Sequence, residues 1–494
     1  MTHTPLLPRT AAVCALLCLG ALASGCASQG PAHTPLATRS AADVGLTASA
    51  SAPVAAQWWT ALGDAQLNTL VAQALQGSPS LAVLQARQTR ALALADAART
   101  ASQPHATLEA DASRQRYSAN GMVPAPIAGS TWNSANLQAG LNWSPDFFDR
   151  HRAELQAALG QARAAQADSA AAASALATQV SRSYIALARL LAQRAVAEQH
   201  LAQRNALRQL TQERTQAGLD SQVELTQAQA ALPEARGQME ALDEQITLAR
   251  RQVAALCGQA PDSQATLTPQ LDQLALSDMP AVLGADLLGR RADVVAARWR
   301  VEAATQDVAV ARTAFYPNIN LSAFVGLNAL GFDQLLRASS RQMGVAPTLT
   351  LPLFDGTRLR AQLGAKQAEL DAAIAQYNSA VLGAAKEAGD AIGSVQSLAR
   401  QQTLQTQAAA KTETAYDFAV QRFRAGLGNY LLVLSAESPL LAQRRLGIDL
   451  RARQLDTHVL LMQALGGGWS DDTEPASARA PDTSPEIPAE RRPS

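Results

Sequence analysis

The sequence predicts a mainly α-helical protein with a small β part, built by an internal duplication. Three observations support this fold class. Aromatic residues make up only 4% of the 494 residues, and Ala, Gln and Leu, which favour helices, are abundant along the chain. Short segments in which apolar and polar residues alternate interrupt the helical pattern, as β-strands do. Three motifs occur twice in the same order, which indicates two copies of one unit.

The N-terminus has the pattern of a secretory signal. The apolar run over 11–23 is too short to span a bilayer as a helix but fits a signal-peptide core. Small residues precede Cys26 as in a bacterial lipoprotein box, although Ala23 stands where Leu is usual. We predict a signal peptide over 1–25 and a lipid on Cys26, a palmitate-type anchor. An ordinary cleavage site beside an incidental cysteine is the alternative. Cys257 is then the one remaining thiol of the mature chain, and we expect it to be a small apolar residue near a helix end.

The duplication sets the domain boundaries. The paired motifs are ARTASQP from Ala98 with ARTAFYP from Ala311, FDRHRAELQAALGQA from Phe148 with FDGTRLRAQLGAKQA from Phe354, and RTQAGL from Arg214 with RFRAGL from Arg422. Their offsets run from 206 to 213 residues. We therefore predict a tether over 26–56, a first repeat over 57–260, a Pro-containing linker over 261–286 and a second repeat over 287–469. The tail over 470–494 is rich in Pro, Ser, Asp and Glu and is predicted to be disordered.

Each repeat is predicted to contribute two strands. Alternation covers 106–113, 136–143, 318–325 and 345–353, and such segments are long enough to cross a bilayer at a tilt with their apolar side outward. A soluble sheet with one buried face is the alternative. Open sheet edges do not occur in lipid because each unpaired backbone group costs several kcal/mol. If the strands span a membrane, several chains must pool them: a dimer, with about eight strands, is the minimum, and a trimer supplies about twelve.

The helices are predicted to be unusually long. A first helix of each repeat is expected over 64–101 and 287–314, a long helix from Pro145 to Ala217, and returning helices over 221–256 and 430–465. At 1.5 Å per residue the long helix reaches on the order of 100 Å. Gly218 and Gly426 are expected to end the long helices, and Pro233 and Pro439 to kink the returning ones. Dense Ala with recurring Gln and Arg favours a tunnel wall, with a coiled-coil rod as the alternative.

Charge and motif content argue against nucleic-acid binding and catalysis. Lys plus Arg and Asp plus Glu are both 41, so no net field attracts nucleic acid. Arg204, Arg208 and Arg214 are expected on solvated helix faces. The six histidines have no metal-ligand spacing, and no phosphate loop or nucleophile elbow is present. We therefore predict no enzymatic activity, no cofactor and no metal.

Six segments between Trp58 and Trp469 together resemble one known family. They are WWTALGDAQLNTLVAQAL, LLGRRADVVAARWRVEAA, VARTAFYPNINLSA, LPLFDGTRLRAQL, FRAGLGNYLLVLSA and ALGGGW. They resemble the outer-membrane efflux proteins, the TolC-like channels, and most closely their NodT-type lipoprotein branch. Where that family usually has Arg-Arg-Pro-Asp, this chain has Ala292 in place of Pro, a change that bears on the start of a helix.

The resemblance implies an architecture, a function and a set of partners. Four strands per chain of a homotrimer would form one twelve-stranded transmembrane barrel in the cell outer membrane, continued by an α-helical tunnel through the periplasm. The channel would passively conduct small toxic compounds or drugs delivered by an inner-membrane pump and a periplasmic adaptor. A type I protein-secretion channel, which has the same fold, is the alternative, and a lipidated Cys26 favours small-molecule efflux. A purely structural lipoprotein is the third option, which a bilayer conductance assay would separate from either channel. The resemblance places adaptor docking at the two helix-hairpin tips, Ala217, Gly218, Leu219, Ala425, Gly426 and Leu427.

The resemblance also directs attention to a periplasmic gate. Relatives often carry Asp at two positions after the second tip, where this chain has Leu432 and Ser435. The matching part of the first repeat keeps Asp220 and Glu224. We take these four residues as gate candidates, with the choice between an acidic and an apolar gate open, and an ordinary surface carboxylate is the alternative for Glu224. Phe423 and Arg424 are the next candidates.

Overall fold

The computed structural model describes residues 31–46, 54–276 and 287–469. The predicted signal peptide, Cys26, residues 277–286 of the predicted linker and the predicted tail lie outside the described residues. In chain order the helices and strands are α1 (Ala65–Gly77), α2 (Pro79–Thr100), β1 (His105–Arg116), β2 (Thr131–Trp143), α3 (Arg150–Gln216), α4 (Gln222–Leu256), α5 (Leu287–Arg290), α6 (Ala292–Thr313), β3 (Asn318–Leu330), β4 (Arg341–Thr350), α7 (Gly356–Arg424) and α8 (Tyr430–Ala464). None of the described helices has both the length and the apolar character required to cross a bilayer. The prediction of a mainly helical chain with four strands is confirmed.

The first helix of each repeat is broken, contrary to the prediction. Between α1 and α2, Ser78 adopts an extended backbone (φ −72°, ψ 118°), because the ring of the following Pro79 disfavours a helical conformation at the preceding residue. Between α5 and α6 the chain passes Arg291, whose side chain is 8% exposed and forms ion pairs of 2.7 Å with both Asp293 and Glu387. Pro233 and Pro439 lie inside α4 and α8.

The four strands form one antiparallel sheet in the order β1-β2-β3-β4. The two repeats meet in its middle, where β2 pairs with β3 and Leu137 lies opposite Leu327. β4 ends at Thr350, opposite the first residue of β3, Asn318. The predicted extension of this strand to residue 353 is therefore wrong, because beyond Asn318 there is no backbone left on β3 to pair with.

The register gives the sheet two unlike faces. The apolar face carries the even residues of β1 over 106–112, the odd residues of β2 over 135–143, and the odd residues of β3 and β4 over 319–329 and 343–349. The polar face carries a hydrogen-bonded ladder across three strands. The Asn136 amide donates to Asp111 (3.0 Å), and the Gln342 amide donates to Asn136 (2.9 Å) and Gln138 (3.0 Å). The predicted alternation of faces is confirmed within the single chain.

The chain folds into two compact units, each of which takes segments from both repeats. The first unit comprises residues up to 38, 84–166 and 296–379 and contains the sheet. In it, α3 and α6 approach so closely that a Cβ on Gly160 would lie 3.0 Å from the Ala303 Cβ, which shows that small residues permit near contact of these helices. Phe315 and Leu359 belong to the apolar core of this unit.

The N-terminal segment of the first unit lies along α7. The Leu36 N–H donates to Asp371 (3.1 Å), and His33 Nε2 lies 3.1 Å from the same carboxylate. The Asn378 amide donates to the Ala37 carbonyl (3.0 Å). The described end of the tether is thus held on a helix surface by side-chain contacts.

The second unit comprises 39–83, 167–295 and the residues from 380 onward. Its core contains Trp58 and the fully buried Tyr184. The Tyr184 hydroxyl donates to Asp64 (2.7 Å), and Asp64 also accepts from two backbone N–H groups at the start of α1. Burial raises the pKa of Tyr184 above its ordinary value, so the hydroxyl keeps its proton. As expected, Cys257 is a buried residue at the end of α4.

Candidate functional site

The tips of the two long helical hairpins share one backbone design. At the first tip, Gly218 has φ +73°, its N–H donates to the Thr215 carbonyl (3.1 Å), and the Leu219 N–H donates to the Arg214 carbonyl (2.9 Å). At the second tip, Gly426 has φ +75°, with equivalent bonds from Gly426 to Phe423 (3.1 Å) and from Leu427 to Arg422 (2.9 Å). Both are Schellman turns, in which glycine adopts the left-handed conformation without steric cost. The predicted ends of the long helices are confirmed.

Each returning helix begins with a polar cap. Ser221 and Glu224 form a capping box at the start of α4, in which the Ser221 hydroxyl accepts from the Val223 N–H (3.2 Å) and Glu224 accepts from the Ser221 N–H (2.9 Å). At the start of α8 the Asn429 side chain accepts from the Leu432 N–H (3.1 Å). Glu224 and Leu432 therefore occupy the same position relative to their caps, as the duplication predicts.

The two tips are joined by Arg214. Its guanidinium forms two hydrogen bonds with Asp220 (2.8 and 3.0 Å), and it also donates to the Phe423 carbonyl of the second tip (3.2 Å). The same guanidinium lies over the Phe423 ring, 4.7 Å from the centroid. The side chains of Arg214 and Asp220 are only 12% and 6% exposed, and the hydrogen bonds to Asp220 raise the pKa of Arg214. The prediction that Arg214 lies on a solvated face is wrong.

The gate candidates fall into three groups. Asp220 is occupied by its ion pair with Arg214, and Phe423 is fully buried, so neither side chain is free to line an aqueous mouth in this arrangement. Arg424 and Ser435 are exposed, and the Ser435 hydroxyl donates to the Leu432 carbonyl (2.9 Å). Glu224 and Leu432 form the third group.

Glu224 and Leu432 are accessible and differ in charge. The Glu224 side chain is partly exposed, and its hydrogen bond from the Ser221 hydroxyl holds the pKa of the carboxyl below its ordinary value of 4.5. The Glu224 carboxylate is therefore charged at neutral pH. Leu432 is 40% exposed. Glu224 and Leu432 are therefore available as gate residues, as are the exposed Arg424 and Ser435.

Large apolar side chains are exposed around the tips. Leu219 is 67% exposed and Leu427 is 72% exposed, and on the first turns of the returning helices Val223 and Leu431 are 64% and 63% exposed. We call these four residues the apolar tip group. Exposed apolar residues gathered at one place are typical of protein interaction sites.

A buried charged cluster lies near the second tip and was missed by sequence reasoning. Glu437 on α8 is fully buried and lies 3.0 Å from His200 Nε2 and 2.8 Å from the Arg204 guanidinium, both on α3. Arg204 also donates to the Tyr430 hydroxyl (3.4 Å). The Arg204 side chain is 16% exposed, so its predicted placement on a solvated face is also wrong. No local pattern identifies the cluster, because its two members on α3 and its two members on α8 are more than 200 residues apart in the sequence.

No metal-binding arrangement is found in the described ranges. Over 31–46, 54–276 and 287–469, no three His, Cys, Asp or Glu side chains are grouped so that they could hold a metal ion.

Comparisons with known proteins agree on one family. The family model described as outer membrane efflux protein matches residues 70–259 and 283–467. The multidrug resistance outer membrane protein MdtQ of Escherichia coli O6:H1 is 34% identical over 84% of this chain and 88% of that protein. The fusaric acid resistance protein FusA of Burkholderia cepacia is 34% identical over 72% of this chain and 69% of that protein.

Two solved structures of outer-membrane proteins have a similar fold. The outer membrane protein VceC of Vibrio cholerae is 34% identical, with a TM-score of 0.79 over 84% of this chain and 99% of that chain. The outer-membrane channel OprN is 27% identical, with a TM-score of 0.80 over 90% of this chain and 100% of that chain.

The contacts of Arg214 with both tips give a prediction about local stability. Arg214→Gln leaves the buried Asp220 carboxylate without its partner, and we expect the tips to lose about 3 kcal/mol of local stability. Amide hydrogen exchange of residues 214–224 measures the loss as faster exchange. Arg422→Gln is the matched control, because Arg422 is exposed and its one described side-chain bond, to the Leu427 carbonyl, is long at 3.4 Å. Equal effects of the two substitutions would contradict the role assigned to Arg214.

Proposed function

This chain belongs to the outer membrane efflux protein family, and from that premise we propose that it is the outer-membrane channel of a tripartite efflux system. In this role it conducts small toxic compounds or drugs passively to the exterior. The observation that carries the proposal is the combination of two long helical hairpins, α3–α4 and α7–α8, with a four-stranded sheet that has one apolar and one polar face. The names of the relatives, which refer to multidrug and fusaric acid resistance, support small compounds as cargo over a secreted polypeptide.

The sheet supports assembly into a homotrimer. Within the described chain, the outer edges of β1 and β4 are unpaired, and an unpaired edge is not tolerated in lipid. Joining β4 of one chain to β1 of the next in three copies closes a barrel of about twelve strands. The apolar face then contacts lipid, and the ladder of Asp111, Asn136, Gln138 and Gln342 lines the lumen.

The membrane anchor and the helical tunnel complete the proposal. A lipid on Cys26 fixes the N-terminus to the membrane, and the contacts of His33 and Leu36 with Asp371 support a tether that then follows α7. The long hairpins form the wall of a periplasmic tunnel. Passive conduction needs no covalent chemistry, so the chain is proposed to have no catalytic activity. The energy for transport would be supplied at the inner-membrane pump.

The hairpin tips are proposed as the docking site of the periplasmic adaptor. The apolar tip group supplies an exposed apolar surface, and Arg214 holds the two tips together by contacting both of them. An adaptor with a complementary apolar end would bury these side chains and so join the pump to the channel.

Channel activity and its gate are tested in planar bilayers. We expect the purified protein to conduct and to prefer cations, because three copies of Glu224 place negative charge at the mouth. Glu224→Gln should lower the cation-to-anion permeability ratio roughly twofold while keeping the capping box, which Gln also forms. Leu432→Ala should raise the conductance by removing an apolar constriction.

The control and the pH dependence sharpen this test. Glu234→Gln, an exposed change of the same charge further along α4, should leave the permeability ratio unchanged. Because the pKa of Glu224 is lowered, the cation preference should persist as the pH falls through the ordinary glutamate value and disappear only below it. Absence of conductance in the wild-type protein would refute the channel proposal, and unchanged ratios in Glu224→Gln would place the gate elsewhere.

The face assignment is tested in the middle of β4. Val345 lies on the apolar face and is 70% exposed in the single chain, whereas the neighbouring Ala346 lies on the polar face. Val345→Arg should destabilise the trimer by roughly 2–4 kcal/mol because it puts a charge in lipid, and Ala346→Arg should be tolerated. The measurement is the yield of folded trimer in lipid vesicles. Equal yields of the two variants would show that the faces are assigned wrongly.

The docking surface is tested by separating resistance from conduction. We expect the double variant Leu219→Asp with Leu427→Asp to abolish drug resistance in cells, because removing two exposed leucines that the adaptor would bury weakens adaptor binding by more than about tenfold. Its conductance in bilayers should stay normal. Leu404→Asp is the control, since Leu404 is similarly exposed at 66% but lies twenty residues or more from the second tip on α7. Full resistance in the double variant would exclude the tips as the docking site.

A further inference from the structure

The apolar rows of both edge strands end in arginine. On β1 the row that contains Ala110 and Ala112 continues with Arg114 and Arg116. On β4 the row that contains Met343 and Val345 begins with Arg341. Because side chains on a strand alternate strictly between the two faces, all three arginines lie on the apolar face and not on the polar face.

These arginines lie at one end of the sheet. Arg116 and Arg341 are the strand residues next to the connections β1–β2 and β3–β4, and the helices are attached to the strands at the opposite end. At that opposite end the apolar rows finish in uncharged residues such as Trp143 and Leu349. The apolar face therefore has a cationic border at its hairpin end alone.

The three arginines have no partner among the described residues. All three are exposed, and neither a hydrogen bond nor an ion pair engages their side chains in the part of the chain that the structure describes. The two hairpin connections add Arg337 and a single carboxylate, Asp333, which accepts from the neighbouring Gln334 side chain. This end of the sheet is thus strongly positive in a chain whose net charge is zero.

We propose that Arg114, Arg116 and Arg341 form a binding site for the phosphate groups of a phosphorylated lipid in the outer leaflet. The proposal rests on the proposed function, which places the apolar face in lipid and the hairpin end at the exterior. Guanidinium groups bind phosphate oxygens through paired charge-assisted hydrogen bonds, and arginine stems can lie along apolar surface while their heads reach the headgroup layer. The unlike charge of the phosphates and the position of the arginines at the border of the apolar face both favour a lipid headgroup as the occupant.

Barrel closure makes the site an intermolecular one. β1 and β4 are the two edges of the sheet, so in a closed trimer the Arg341 strand of one chain lies beside the strand of the next chain that carries Arg114 and Arg116. A headgroup with two phosphates can then contact both chains. Binding of such a lipid would stabilise the junctions between protomers in addition to the strand pairing itself.

The test measures the binding of lipid A, which carries two phosphates, to the purified full-length trimer in detergent. Native mass spectrometry compares it with chemically dephosphorylated lipid A. We expect the wild-type trimer to bind the phosphorylated lipid at least about tenfold more tightly, because each charge-assisted contact contributes several-fold in affinity. The triple variant Arg114→Gln, Arg116→Gln and Arg341→Gln should lose this preference.

Controls separate the site from general effects. Arg152→Gln removes an exposed arginine near the helix-attached end of the sheet (76% exposed) and should bind lipid A like the wild type. If the triple variant does not assemble, Arg116→Gln and Arg341→Gln are measured singly, and each should lose about threefold or more in affinity. Equal binding of the dephosphorylated lipid, or unchanged binding by the arginine variants, would overturn the proposal. Displacement of lipid A by millimolar inorganic phosphate would also overturn it, by showing that the ion alone is recognised.

The failure of this proposal is distinguishable from failure of the channel function. The triple variant should conduct in planar bilayers like the wild type, because the arginines lie on the lipid side and not in the lumen. Normal conduction together with no phosphate preference refutes the lipid site alone. A wild-type protein that binds lipid A through these arginines but does not conduct refutes the channel alone.

Discussion

Backbone hydrogen bonding at the edges of a four-stranded sheet is the constraint on which the rest of the molecule depends. β1 and β4 each present one row of N–H and C=O groups without a partner in the single chain, and lipid can satisfy neither. The duplication satisfies two of the four edges of the two strand pairs, because β2 of the first repeat pairs with β3 of the second. In the proposed channel, further copies of the chain pair with the two remaining edges. The two longest helices, α3 and α7, both leave the sheet at the end opposite the β1–β2 and β3–β4 connections.

Much of this architecture could be predicted from the sequence, because its signals are local or repeated. The two-residue alternation of the strands and the glycines that end α3 and α7 are each encoded within a short segment. The length of α3 is indicated by a helical pattern that continues without a break. The break at Ser78 has a local signal in Pro79, but the strong helical pattern on both sides leads the sequence-based prediction to one continuous helix. The end of β4 had none, because it is set by where β3 begins, and Pro352 marks the end only once the register is known.

The candidate site was less predictable, for a physical reason. Arg204 and Arg214 have the spacing of a wetted helix face, and their burial depends on acceptors supplied by other elements. For Arg204 the acceptor is Glu437, more than 200 residues away. For Arg214 an acceptor was near at hand in Asp220, but a carboxylate after a hairpin tip is equally compatible with a charged gate. Only the geometry distinguishes an occupied carboxylate from a free one.

The duplication has preserved the backbone of the tips while their side chains have diverged. Arg422 stands at the position of Arg214 and Gly428 at the position of Asp220, so the second tip keeps the cation and lacks its acceptor. The first tip therefore holds itself and its neighbour through one guanidinium, whereas the second depends on apolar packing of Phe423 and Tyr430. Two hairpins with the same turn geometry thus differ in how readily each can be loosened.

The contacts of the tether with α7 limit the length of chain available to the N-terminus. His33 is held beside Asp371, which lies fifteen residues along α7 from its first residue, Gly356, or about 22 Å of helix. Cys26 lies seven positions before His33, and even a fully extended chain over seven steps spans no more than about 25 Å. If Cys26 carries the proposed lipid, this length limits how far the lipid can lie from the contact between His33 and Asp371. The proposed anchor would then restrict how far the adjoining part of α7 can move relative to the membrane surface in every copy.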